Sequence, residues 1–181
     1  MDGGIPAQRR RDYARGFLAL GLTDEASREL AHLTLVDLED TDSVDVLVDT
    51  GMESRNWPAV VNAAQELTQR RPTEDKGWIA WGYALRELGR IAEARDVLLR
   101  AEALHGSTCA VLHYNLACYY SLLGVLDEAR RRFARATKMH PPFLEGAKED
   151  PDLEALLRAD SAGNADGADG SNGPGGSGKA G

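Results

Sequence analysis

A small side chain recurs along this sequence at a nearly constant interval. Ala26, Val60, Ala94 and Ala129 are separated by 34, 34 and 35 residues. Such a period is typical of stacked helix pairs, because one pair cannot bury both of its faces and must pack against its neighbours. A small residue at each of these positions allows two helices to approach closely. The period therefore predicts an all-α solenoid.

Residues around these positions repeat in the same register. The third unit carries Trp78, Trp81, Gly82, Leu85, Gly89, Leu98 and Ala101, and the fourth carries Leu116, Ala117, Tyr120, Gly124, Phe133, Ala136 and Pro141. On these residues the chain resembles the tetratricopeptide repeat family, with repeats at about 7–40, 41–74, 75–108 and 109–142. The resemblance implies a right-handed superhelical solenoid of antiparallel helix pairs, whose concave groove binds protein segments.

The two ends of the chain depart from the repeat. Residues 1–6 include two glycines and a proline, and we expect them to fray. Asp150 and Pro151 precede several leucines and predict a short capping helix over about 150–158, which covers the apolar end of the last repeat. Residues 159–181 lack large apolar side chains, and we expect them to form a disordered tail.

Composition limits the classes of partner. The net charge of −8 weighs against nucleic acid, whose affinity for proteins is largely electrostatic. No apolar run approaches the roughly 20 residues that span a bilayer, and no export signal is visible, so we expect no membrane partner. Cys109 and Cys118 lie on one predicted helix, about 13 Å apart along its axis and too far for a disulfide. A reducing, cytoplasmic location is therefore expected.

The family resemblance also implies which residues face the groove. In the family, four positions on the first helix of each repeat line the concave surface. On this chain they are Gln8, Arg11, Arg15 and Leu18; Asp42, Asp45, Asp49 and Met52; Lys76, Ile79, Tyr83 and Arg86; and Val111, Tyr114, Cys118 and Ser121. We therefore expect a groove that is basic at one end, acidic in the second repeat and mixed with aromatic residues at the far end.

Two interpretations of the charged groove residues stay open, and they do not exclude each other. In one, the two arginines of the first repeat pair with Asp45 and Asp49 on the neighbouring helix, as exposed ion pairs of little energetic weight. In the other, the acidic residues of the second repeat bind a basic partner segment, whose apolar or aromatic residue contacts Tyr83 and Tyr114.

One specific activity of the family can be tested on these positions. Members that bind chaperone tails hold the terminal carboxylate of the tail with basic and asparagine side chains spread over three repeats. The clamp can be placed on repeats one to three or on repeats two to four of this chain, and neither placement supplies all of its donors. One placement puts Asp45 and Asp49 where the carboxylate of the ligand would lie. Binding of chaperone tails is therefore disfavoured.

Signatures of catalysis are missing from the sequence. It has no phosphate-binding loop, nucleophile elbow or paired metal motif. His105, Cys109 and His113 are spaced like metal ligands, but Gly106 and Ser107 interrupt the helix between them. We therefore expect no enzyme activity, metal or cofactor, and predict a protein-binding adaptor or co-chaperone-like module. The alternative is a structural scaffold or self-assembling subunit of a larger complex. The partner and the oligomeric state stay open.

Overall fold

The computed structural model describes residues 4–166, with side chains through residue 162, and no β-strand occurs in this part. No helix in it is long and apolar enough to cross a bilayer. The α-helices are α1 (Ala7–Ala19), α2 (Thr23–Leu30), α3 (Thr41–Glu53), α4 (Trp57–Arg70), α5 (Asp75–Glu87), α6 (Ile91–His105), α7 (Ala110–Leu122), α8 (Leu126–Met139), α9 (Phe143–Gly146) and α10 (Glu154–Asp166). Short 3-10 turns lie at Asp37–Glu39, Ala147–Glu149 and Pro151–Leu153.

Helices α1 to α8 form four antiparallel pairs arranged in two layers. The odd-numbered helices contact one another in chain order, α1 with α3, α3 with α5 and α5 with α7. Each even-numbered helix packs against the odd-numbered helix of its own pair, and α2, α4 and α6 also contact the one that follows. This is the stacked helix-pair architecture that the 34-residue period predicts.

The small residues that define the period lie in the packed interior between the helices. Ala26, Val60, Ala94 and Ala129 are all completely buried. The third repeat shows how little space remains, because a Cβ atom added to Gly82 would lie 3.1 Å from the side chain of Leu98. A larger residue at this position would therefore force the Leu98 side chain or the helix that carries it to shift.

The turn within each helix pair needs left-handed backbone at one position. Gly21, Gly89 and Gly124 supply it with φ values of 73°, 74° and 74°. In the second repeat Arg55 stands at this position with φ 54°. A side chain makes left-handed backbone unfavourable by about 1–2 kcal/mol, whereas glycine adopts it freely. The turn of the second repeat is therefore strained.

Replacing Arg55 with glycine is expected to raise the free energy of unfolding by about 1 kcal/mol, since the strain is relieved and only part of the gain is offset by the flexibility of glycine. Urea denaturation measures this change. Arg55→Ala is the matched control, because it removes the long side chain but keeps Cβ. An equal gain in both variants would assign the effect to the side chain and contradict backbone strain.

The C-terminal segment covers the end of the last repeat, as a cap of a solenoid must. The Asp150 carboxylate accepts a hydrogen bond of 3.0 Å from the Asp152 N–H and begins the turn before α10. Leu153 and Leu156 are completely buried in the apolar cluster that also contains Leu116. Leu153 and Leu156 are therefore part of the folded core.

Helix α10 continues beyond the predicted end at residue 158, as far as Asp166. Residues 159–166 are thus helical, which corrects their assignment to a disordered tail. Because residues 159–166 lack large apolar side chains, they add nothing to the core, but they can still extend the helix into solvent. An ion pair holds this extension to α8, since Arg130 Nη2 lies 2.5 Å from Asp160 Oδ1. Residues 4–6 are exposed and non-helical. Residues 1–3 and 167–181, the other parts assigned to frayed or disordered ends, lie outside the described residues.

His113 is a core residue of α7 with a defined hydrogen-bond pattern. Its Nε2 lies 2.7 Å from the carbonyl oxygen of Gly106, and its Nδ1 lies 3.5 Å from a guanidinium nitrogen of Arg132. Burial lowers the pKa of His113, and the charges of Arg135 and Arg132 lower it further, against the opposing effects of the Gly106 carbonyl and Glu102. The folded chain therefore disfavours protonation of this imidazole.

Acidification is expected to destabilise the fold through His113. The unfolded chain binds a proton at this residue near the ordinary pKa of about 6.5, whereas the folded chain resists it. The contribution of His113 is therefore complete above about pH 6.5 and decreases as the pH falls. Urea denaturation of wild type and His113→Gln at about pH 7.5 and 5.5 checks this. We expect the stability difference between them to shrink at the lower pH; a constant difference would contradict a neutral buried imidazole.

Candidate partner-binding groove

An open concave groove runs along the inner layer of helices, with a volume of about 600 Å³. This volume is within the usual range for ligand clefts. Residues of α1, α3, α5 and the start of α7 line it: Arg15, Leu18, Val48, Asp49, Met52, Glu53, Asp75, Lys76, Ile79, Ala80, Cys109 and Val111. Most of its wall is apolar, and five charged side chains interrupt it. We call this surface the open groove.

Lys76 lies at the centre of the charged part of the groove. Its Nζ is 2.7 Å from a carboxylate oxygen of Asp45 and 2.7 Å from one of Asp49. Burial by itself lowers the pKa of Lys76, but the hydrogen bonds and charges of the two aspartates outweigh it and raise the pKa overall. The interpretation in which arginines of the first repeat pair with these aspartates is therefore wrong. The cation comes from the third repeat.

Arg11 does not face the groove. It is buried between α1 and α3, where its guanidinium lies 2.8 Å from Asp40 Oδ2 and 3.1 Å from Ser43 Oγ and also donates a 2.7 Å hydrogen bond to Gln8. This corrects its predicted place, and the reason is that a long side chain on α1 can reach the start of α3. Arg15 remains exposed at the edge of the groove, 3.8 Å from Asp12.

Asp42, at the start of α3, is also engaged by a residue of this chain. Arg71 Nη2 lies 2.5 Å from Asp42 Oδ1. The hydrogen bond from Arg71 lowers the pKa of Asp42, which keeps the carboxylate charged. All three aspartates predicted to meet a basic partner therefore already have a cation beside them.

Two other carboxylates supply the unpaired negative charge of the open groove. Glu53 ends α3 and Asp75 begins α5, both are exposed, and neither forms an ion pair among the residues whose side chains are described. The groove positions implied by the family resemblance do not include these two residues, but each is next to one that they do include. Glu53 follows Met52, and Asp75 precedes Lys76. Including the neighbours of each predicted position would have found both.

The far end of the concave surface is covered by the chain itself. We call Asp150–Leu153 the strap. Arg86 Nε donates a 2.7 Å hydrogen bond to Asp152 Oδ2, and its Nη2 donates to Oδ1, so the pair is bidentate. The Tyr114 hydroxyl donates to Asp150 Oδ2 at 2.7 Å, and Cys118 Sγ lies 3.7 Å from the same oxygen. These three predicted groove residues contact the strap instead of open solvent.

Tyr83 keeps part of its predicted exposure. It lies on α5 with 38% of its surface accessible, and it is not among the residues that line the open groove. Its ring packs edge-on against Trp57, with 5.7 Å between the ring centroids. Ser121, at the end of the predicted set, is buried. The predicted residues thus divide between the open groove, the strap contact and the helix interfaces.

A cluster beneath the strap has the spacing of metal ligands. The Cys118 sulfur and the carboxylate oxygens of Asp150 and Asp152 lie within 4.8 Å of one another. Arg86 already neutralises Asp152 here, and burial together with the charges of the two aspartates raises the pKa of Cys118, which keeps the thiol protonated. The cluster is therefore satisfied as a hydrogen-bonded ion pair.

Several solved structures share this architecture. A MamA protein gives a TM-score of 0.73 at 20% identity, over 90% of this chain and 85% of that one. A thermophilic TPR protein of Thermus thermophilus gives 0.61 at 22%, over 90% and 86%. YrrB, described as a TPR protein with an unusual peptide-binding site, gives 0.66 at 14%, over 88% and 78%. No protein-family model and no curated protein matches the sequence. The chain has the all-α tetratricopeptide fold, as its repeat pattern predicts.

Proposed function

We propose that this chain is a protein-interaction adaptor that binds a partner segment in the open groove. The observation that carries the proposal is the open groove itself, an aliphatic cleft of about 600 Å³ on the concave face of a repeat solenoid. The described peptide-binding site of YrrB, a structure of the same fold, supports this use of the fold.

The lining favours a segment with one large apolar residue. Leu18, Met52, Ile79 and Val111 present apolar surface from four successive inner helices. Burial of an apolar side chain against such a wall contributes about 25 cal/mol for each Å² removed from water. An aliphatic or aromatic anchor is therefore the main source of affinity.

The charges favour a basic residue beside that anchor. The lining contains two cations, Arg15 and Lys76, and three carboxylates, Asp49, Glu53 and Asp75. Lys76 is neutralised by aspartates of the second repeat, which leaves Glu53 and Asp75 as the free charges on the α3 and α5 side. Complementary charge of this kind contributes specificity and faster association more than raw affinity.

Other roles fit this lining less well. An acidic tail, such as a chaperone terminus, would need cations that are free, and Lys76 is held by two carboxylates. Binding without catalysis is proposed because the charged side chains of the groove pair with one another or are exposed, and the thiol of Cys109 is buried. The cytoplasm is the proposed location, since Cys109 and Cys118 are free thiols.

A peptide array tests the proposal. The full chain is applied to immobilised 12-residue peptides of varied sequence, chosen to vary net charge and apolar content independently. We expect retention of peptides with a large apolar residue next to lysine or arginine. Retention that depends on acidic residues alone, or no selection at all, would contradict the proposed chemistry of the open groove.

A self-assembling scaffold is the second candidate function. It is favoured by Leu35 and Val36, two aliphatic residues in the connection between α2 and α3 that are 86% and 73% exposed. Sedimentation velocity over a range of protein concentrations tests it. Association that is abolished by Leu35→Ser with Val36→Ser would support the scaffold, whereas a monomer at all concentrations would exclude it.

A further inference from the structure

The strap contacts the groove end in the way that a bound ligand would. It follows the repeats, and its two carboxylates, at Asp150 and Asp152, contact side chains of α5 and α7. Behind them Leu153 is completely buried. The strap thus presents two acids with one residue between them, followed by an aliphatic anchor, to a preformed set of donors.

We infer that the groove end formed by Arg86, Tyr114 and Cys118 is a second binding site, specific for an acidic segment, which the strap occupies in cis. Its ligand in trans is a partner segment of the same chemistry, Asp-x-Asp followed by an aliphatic residue, which binds by exchange with the strap. This site goes beyond the proposed function, and it does not require the open groove to bind a peptide.

The donor geometry explains the choice of an acid. Arg86 binds Asp152 through two nitrogens, and a bidentate guanidinium–carboxylate pair is both strong and directional. Arg86 also contacts Glu87, with Nη1 2.6 Å from Oε1, and its side chain is 29% exposed, so loss of the Asp152 carboxylate would leave Nε and Nη2 without a partner in a poorly solvated place. A basic segment cannot meet this requirement, which separates the second site from the open groove.

The first experiment weakens the contact of the strap with the groove end by substitution and adds the wild-type strap sequence as a separate peptide. The full chain carries Asp150→Asn, Asp152→Asn and Leu153→Ser, which leaves all donors on α5 and α7 in place. The probe is a fluorophore-labelled synthetic peptide of residues 147–158, and binding is followed by anisotropy. We expect saturable binding to this strap variant, at least about tenfold weaker binding to wild type, and a loss of about tenfold or more when Arg86→Gln is added.

A control peptide with asparagine at the positions of Asp150 and Asp152 distinguishes acid recognition from apolar contact. Equal binding of both peptides would overturn the inference. So would failure of the acidic peptide to bind a strap variant that keeps its helical circular dichroism and cooperative melting. Binding at the open groove is measured separately, with the basic peptides that it selects. Loss of acidic-peptide binding at the second site can therefore be distinguished from loss of basic-peptide binding at the open groove.

A second measurement decides the question if the strap variant does not fold. Amide hydrogen exchange is compared between wild type and the single variant Arg86→Gln. We expect the amides of the strap and the first turn of α10 to exchange at least about tenfold faster in the variant, while those of α3 are unchanged. Unchanged exchange in the strap would show that Arg86 does not hold the acidic segment, and would overturn the inference.

Discussion

Leu156→Ala is expected to lower the free energy of unfolding by about 2–5 kcal/mol, because it leaves a cavity where a completely buried leucine was. Leu156 packs into the same apolar cluster as Leu116 and Tyr119 of α7. Its removal therefore affects the contact that seals the end of the fourth repeat. The cost is large because few other residues can move into a site enclosed by two helices and the strap.

Urea denaturation of wild type and Leu156→Ala measures this change as a shift of the transition midpoint. Leu144→Ala is the matched control, since Leu144 lies in the same C-terminal segment but is 53% exposed. We expect the control to change stability by no more than about 0.5 kcal/mol. Similar effects of the two substitutions would show that α10 does not close the core.

Reversing the free charges of the open groove, with Glu53→Lys and Asp75→Lys together, is expected to lower affinity for a lysine-containing apolar peptide at least about tenfold. The variant replaces two attractions with two repulsions while leaving the aliphatic wall intact. The remaining affinity should increase with added salt, because screening weakens repulsion between exposed charges. Isothermal titration with a peptide selected by the wild-type chain measures both effects.

Asp24→Lys with Glu39→Lys provides the control for net charge. Asp24, like Asp75, lies in the first turn of its helix, and neither control position lines the open groove. We expect this variant to bind the peptide as wild type does. An equal loss of affinity in the two double variants would mean that overall charge, and not the groove, determines binding.

The fold could be predicted from the sequence because the repeat is a local and redundant signal. Ala26, Ala94 and Ala129 lie at the close contacts that their spacing predicts, and Gly89 and Gly124 lie in the left-handed turns. Each repeat makes the same packing contacts, so a pattern found twice defines the others. The end of α10 could not be predicted in this way, because it belongs to no repeat and lies beyond the last buried leucine.

The site was only partly predictable, because register defines which face of a helix a residue is on but not which neighbour it reaches. Lys76 extends from α5 to carboxylates on α3, and Arg11 turns to Asp40 instead of the groove. The contact of Asp152 with Arg86 joins residues 66 positions apart. No period in the sequence relates a strap outside the repeats to the repeat helix that it covers.

Binding of partners in the open groove is tested by a titration of the isotope-labelled full chain with an array-selected peptide, followed by amide chemical shifts. We expect the shifts to move for residues lining the groove, such as Leu18, Met52, Ile79 and Val111. The outer helices α4, α6 and α8 should change little. Shifts confined to those outer helices would show that the peptide binds outside the open groove.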